Sequence, residues 1–90
     1  MDYSKRIAVA DTVFSQRVDD EIVLLDMESE NYFGLDSVAT DIWQLLQDGK
    51  TFQETVDALR NMYEVDQDVL KKDLETFVET LINKKLAKIA

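Results

Sequence analysis

The 90-residue chain has no cysteine and no histidine. The first absence excludes disulfides, thiolate metal sites and cysteine nucleophiles, so stability must come from packing. The second removes the commonest general base and metal ligand. Hydroxyls, carboxylates and lysines remain, and no catalytic residue, cofactor or metal site is expected. Bases are also scarce, 10 against 19 acids for a net charge of -9. Such a chain repels phosphate backbones and favours a basic or neutral partner, although solubility alone is the plainer account of the charge. No apolar run approaches the roughly 18 residues of a membrane span. The opening "MDYSKRIAVAD" lacks the apolar core of a secretory signal. A soluble cytoplasmic protein is expected, with neither nucleic acid nor membrane as partner.

Hydrophobic residues make up 46% of the chain, enough for the core of a single small domain. Residues 1 to 11 show no sustained period and read as a flexible N-terminal arm, leaving residues 12 to 90 as the domain. From Val13 the texture is β-rich. "VFSQRV" alternates weakly, "DDE" turns, "IVLLDM" is a β-branched and apolar run, "ESEN" turns again, and "YFGL" at 32 to 35 is short and aromatic. This pattern predicts a three-stranded antiparallel meander.

After Leu35 the period changes to about 3.6. Asp36 or Ser37 can cap a first helix whose stripe is Val38, Ile42, Leu45 and Leu46, stopped by Asp48-Gly49. Thr51 and Glu54 form a capping box for a second, with Phe52, Val56, Leu59 and Tyr63 buried. A third runs from near Asp66 to about Lys84 on Leu70, Leu74, Phe77 and Leu81. Three strands followed by three helices, each with one apolar face, predict an α+β domain with a winged helix-turn-helix layout. A DNA-reading version needs a basic recognition helix, yet residues 51 to 63 carry Arg60 against Glu54 and Asp57.

Three segments invite a chemical reading. Gly34 to Val38, "GLDSV", matches the Gly-x-Asp-Ser-Leu motif of acyl and peptidyl carrier proteins, which would put phosphopantetheine on Ser37. That family needs a helix before the serine, whereas Thr12 to Leu35 read as strands and turns. Asp26-x-Glu28-x-Glu30 spaces acids like the start of a calcium loop, but the glycine at the sixth place and the glutamate at the twelfth are replaced by Asn31 and Ser37. On the third helix, Val78 and Ile82 extend the apolar arc sideways, with Lys71 and Glu75 on the same flank. This shelf either packs on Tyr32 or the first helix, or stands open for a peptide.

The order Asp20 to Asp26 ("DEIVLLD"), Tyr32 to Leu35, Ile42 to Leu46 ("IWQLL"), Asp48 to Thr51 ("DGKT") and a closing helix resembles the PqqD-like family. These are recognition elements for precursors of ribosomally made peptides, and the likeness is greatest to the stand-alone leader-binding proteins of lasso peptide pathways. It covers roughly residues 12 to 86. Many relatives carry a glycine in the turn before the tyrosine and another where Ala39 stands. The resemblance implies a non-catalytic protein that takes the leader of a precursor as an added strand along Asn31, Tyr32, Phe33, Gly34 and Leu35. Leader side chains would then enter a groove walled on the helix by Lys71, Glu75, Val78 and Ile82. It further implies a maturation protease and a cyclase as partners.

Overall fold

The computed structural model describes residues 1–90. In chain order the elements are β1 (Ile7–Val9), β2 (Val13–Val18), β3 (Glu21–Asp26), β4 (Tyr32–Gly34), α1 (Ser37–Gln47), α2 (Phe52–Met62), α3 (Gln67–Asn83) and β5 (Ala87–Ile89). The expected meander is the antiparallel sheet β2-β3-β4, and the three helices follow it as expected. Along β3, Ile22, Leu24 and Asp26 turn inward and are buried, while Val23 and Leu25 face the other side. This is the period-two pattern of a sheet with one covered face.

The connections satisfy the chain's polar groups locally. Val18 pairs with Glu21, leaving a two-residue loop in which Asp19 takes φ 57°. Helix α1 ends in a Schellman motif: Gly49, at φ 90°, donates its N–H to Leu46 O, and Lys50 donates to Leu45 O. Helix α3 ends the same way with a lysine in the left-handed position. Lys85 (φ 60°) donates to Ile82 O and Leu86 to Leu81 O, with Leu81 and Leu86 both buried. That turn redirects the chain into β5.

The expected loose arm over residues 1 to 11 is instead built into the domain. Ile7↔Ile89, Ala8↔Lys88 and Val9↔Ala87 pair as a two-stranded antiparallel ribbon. Two carbonyls of the arm also accept the first amides of α2, Phe52 N–H on Lys5 O at 3.0 Å and Gln53 N–H on Tyr3 O at 2.9 Å. Helix N-termini carry such orphan donors, and here a distant segment of the chain satisfies them. The capping box of Thr51 and Glu54 forms as the sequence reads it.

Sixteen buried residues form one core between the sheet and the helices. Trp43 lies in it at 1% exposure, off the stripe expected for α1. Its indole N–H is the one buried side-chain donor with no acceptor among the chain's own groups. Thr40 is also buried, for a different reason. The β3–β4 ladder closes with Leu35 N–H donating to Ile22 O at 2.8 Å, but the return bond is diverted: Ile22 N–H donates to Thr40 Oγ1 at 3.1 Å. The hydroxyl in turn points at Leu35 O at 3.5 Å, a weak bond. Thr40 therefore pins α1 to the end of the ladder. Thr40→Val keeps the shape and strands the Ile22 amide, so urea unfolding should show a loss of about 1 to 3 kcal/mol. An unchanged midpoint would mean the bridge contributes nothing.

Candidate functional site

Strand β4 has β3 on one side and no strand on the other. Which of its groups face the open side follows from the ladder. Asp26 N–H donates to Asn31 O and Leu35 N–H to Ile22 O, so Asn31, Phe33 and Leu35 bond inward. By the alternation of antiparallel pairs, the N–H and C=O of Tyr32 and Gly34 point outward. Four backbone groups thus line a free edge. The side chains alternate too: Tyr32 is 78% exposed on the outer face, whereas Phe33 lies half-buried on the helix side opposite Leu24.

Phe33 separates two depressions. On the α1 and α3 side is a trough of about 410 Å³ with Val38, Ile42 and Phe77 as its apolar lining and Asp36, Lys72, Asp73, Thr76 and Thr80 around it. Toward the start of β4 is a second hollow of about 370 Å³, lined by Asn31, Tyr32, Lys84 and Leu86 among others. The Lys84 ammonium lies 5.2 Å from the centre of the Phe33 ring, a cation–π distance. The trough therefore has an apolar lining with Asp36, Asp73 and Lys72 among its polar residues, while the second hollow, beside Tyr32, carries the Lys84 cation.

The sequence-expected residues divide sharply. Asn31, Tyr32, Phe33 and Gly34 border the open edge or its hollows. Leu35 does not, since it is 3% exposed in the core. On α3 the structure brings none of Lys71, Glu75, Val78 and Ile82 to β4. At about 100° per residue, Lys71, Glu75 and Ile82 fall on one side of the Leu74, Phe77 and Leu81 stripe, while Asp73, Thr80 and Lys84 fall on the other. The first flank faces the N-terminal segment. Tyr3 donates its hydroxyl hydrogen to Glu75 Oε1 at 2.7 Å, and Lys71 Nζ stands 4.9 Å over the Tyr3 ring. Val78 is core at 1% exposure, and Ile82 lines a depression shared with β1 and β5. The helix residues that do border β4 are Lys72, Asp73, Thr76, Phe77 and Thr80, with Lys84 just past its end. Apolar periodicity missed them because most are polar.

The two other chemical readings meet ordinary structural roles. Asp36, not Ser37, caps α1, accepting Ala39 N–H on Oδ1 at 2.8 Å. Ser37 follows a strand, without the preceding helix that a carrier protein requires. Asp26 accepts Glu28 N–H and the Ser29 hydroxyl, and these bonds build the turn before β4. Hydrogen bonds from Ser29 and then Thr12 hold its carboxyl below the usual range. In the same turn Glu30 sits at φ 62°, in the left-handed region that favours glycine.

A three-stranded sheet whose β4 edge is open, backed by three helices and a polar-rimmed apolar trough, defines the class as a winged helix-turn-helix-like α+β domain. The profile of the family described as Coenzyme PQQ synthesis protein D (PqqD) matches residues 21–87, and the chain belongs to that family. Among solved structures, it is similar to TbiB1 in complex with the TbiA(beta) leader peptide, at 44% identity and a TM-score of 0.85 over 89% of this chain and 93% of that one. It is also similar to a lasso peptide synthetase B1 complexed with its leader peptide, at 26% identity and a TM-score of 0.86 over 92% and 98%. No curated protein matches the chain. No helix is long and apolar enough to cross a membrane.

The occupied flank of α3 has a pH signature. Burial and then the Glu75 bond push the Tyr3 hydroxyl up from 10.0 to about 12. A raised folded-state pKa stabilises fully below the ordinary value, and that contribution is lost as pH rises through the folded value. The wild type should therefore lose more stability than Tyr3→Phe between pH 10 and 12. Parallel urea curves at both pH values would check this, and identical declines would show that the Tyr3–Glu75 contact is not formed in solution.

Proposed function

We propose that the chain binds the leader segment of a ribosomally made precursor peptide by β-strand addition at β4 and presents it to maturation enzymes, a protease and a cyclase in a lasso-type pathway. The observation that carries this is the free edge formed by Tyr32 and Gly34, bordered by the trough beside Phe33. Edge addition supplies backbone bonds to any extended peptide, and pockets reached by alternate side chains select among peptides. Both similar structures hold leader peptides, which supports the same class of ligand here.

The geometry suggests what a leader should look like. Same-face side chains of a strand repeat every two residues, about 6.8 Å. A leader could therefore place one side chain on either side of Phe33. In an antiparallel addition its N-terminal side lies near Gly34 and Asp36, with Asp19 and Glu21 lining the same depression, which favours an apolar anchor with a neighbouring lysine or arginine. Its C-terminal side lies near Lys84, which favours a carboxylate or a polar group. Exposed pairs of this sort contribute about 0 to 1 kcal/mol each, so the apolar anchor dominates affinity and the charges set direction and rate.

In this reading the domain does no chemistry. Holding the leader raises the effective concentration of the attached core peptide at the enzymes that process it. Phe33→Ala removes the ridge between the two hollows, and at about 1.5 to 3 kcal/mol for a buried apolar side chain leader affinity should fall roughly 10- to 100-fold. Ile82→Ala, on the opposite flank, should leave it within about twofold. Anisotropy of a labelled leader would measure both, and an equal loss in the two variants would move the site to the other side of α3.

A further inference from the structure

Bases are few in this chain and unevenly spread. Lys84, Lys85 and Lys88 fall within five positions, and residues 80 to 90 contain no acid. All three lysines are exposed. The C-terminal end of a helix suits a cation, which is reason enough for Lys84. It does not account for Lys88, which lies beyond the turn in β5, or for Lys85, which holds a left-handed position at φ 60° that favours glycine.

The corner between α3 and β5 sets these lysines around two hollows. Lys84 and Leu86 line the hollow beside Tyr32, whereas Lys85, Ala87 and Lys88 line the depression of about 540 Å³ shared with β1 and Ile82. Asp11 is the one acid lining either of them. On a chain of net charge -9 the corner is a local positive field. It also lies where a bound leader leaves the sheet. Strand β4 runs from Tyr32 to Gly34, so a strand added antiparallel to it passes Gly34 first and exits past Tyr32 toward Lys84. Lys84 and Lys88 are four residues apart, so their backbones stand no more than about 14 Å from each other. Roughly four or five extended residues of the departing chain cover that span.

We infer that Lys84, Lys85 and Lys88 form a second contact on the precursor, for an acidic segment that follows the docked strand. The inference rests on the leader-binding reading. Continuity decides the occupant, because the precursor passes this corner on its way off β4. A second copy, at net charge -9, is repelled over most of its surface, and a phosphate-rich polymer meets 19 acids on the same small domain. With Asp36 at the Gly34 end, the lysine corner gives the site opposite charges at its two ends, so charge sets the direction of the leader on β4. Residues held at the corner lie outside the added strand, and they extend selection beyond the side chains that flank Phe33.

The experiment uses the full chain and two labelled peptides from the precursor encoded with it. One is the segment that docks on β4, and the other is the same segment extended by about eight residues toward the core, enough to pass the corner. At low salt the extended peptide should bind about three- to tenfold more tightly, and the gain should vanish at high salt, as it does for exposed charge pairs. Lys85→Gln with Lys88→Gln should abolish the gain and keep the short peptide within about twofold of wild type, which also reports a folded variant. Replacing the acids of the extension by their amides should abolish the gain in the wild type and change nothing further in the lysine variant. Equal affinity of the two peptides for the wild type at low salt would overturn the inference. So would a gain that survives both high salt and the lysine substitutions, since an apolar contact would then carry it. A lysine variant that binds both peptides like wild type yet slows cleavage of the precursor would overturn it too, and give the corner to the enzyme. A short peptide that the wild type does not bind would overturn the leader reading itself, and this inference with it.

Discussion

The proposed site depends on how the β3–β4 ladder ends. At Leu35 the chain must leave the sheet and enter α1, and the buried Thr40 hydroxyl takes the Ile22 amide that a longer β4 would have bonded. The strand therefore stays three residues long, Leu35 drops into the core, and α1 starts immediately beside the edge. Everything proposed for β4 follows from that junction. Tyr32 and Gly34 keep their outward groups free because no further strand pairs there. The trough beside Phe33 has α1 residues Val38 and Ile42 on one side because the helix begins where the strand stops.

Helix α3 divides its surroundings between its two flanks. One flank holds the N-terminal segment through Tyr3, Glu75 and Lys71, and the same segment completes the amide caps of α2 and pairs β1 with β5. The other flank, with Asp73, Thr76 and Thr80, borders β4 and is polar at its rim over an apolar floor of Phe77. A polar wall over an apolar floor suits a ligand whose backbone stays hydrated on one side and whose anchors are buried on the other.

Local pattern made most of the architecture legible. The alternation in "VFSQRV" and "IVLLDM", the capping box at Thr51, the Leu70 to Leu81 stripe and the family-like order of segments all correspond to elements found in the structure. What escaped has a common cause, which is long sequence separation. Strand β1 is three residues whose partner lies about eighty positions away, so no local period announces it. The α3 residues that border β4 were not legible because a helix stripe has two flanks, and the sequence does not say which one faces the sheet. Ile82 and Val78 looked like a groove because they are apolar, but apolar residues beside a stripe more often extend the core, as Val78 does. Trp43 and Thr40, also buried, lie outside the simple stripe of α1 because that helix touches the sheet, α2 and β1 on different sides.

Backbone addition at β4 is the central claim, and amide hydrogen exchange with and without leader tests it most directly. In the free chain the amides of Tyr32 and Gly34 should exchange quickly, while those of Phe33 and Leu35, bonded to β3, should be protected. Leader should slow Tyr32 and Gly34 and leave the outer edge of β2 unchanged. Protection that instead appears along β2 or on the Ile82 flank of α3, with Tyr32 and Gly34 still fast, would contradict the account.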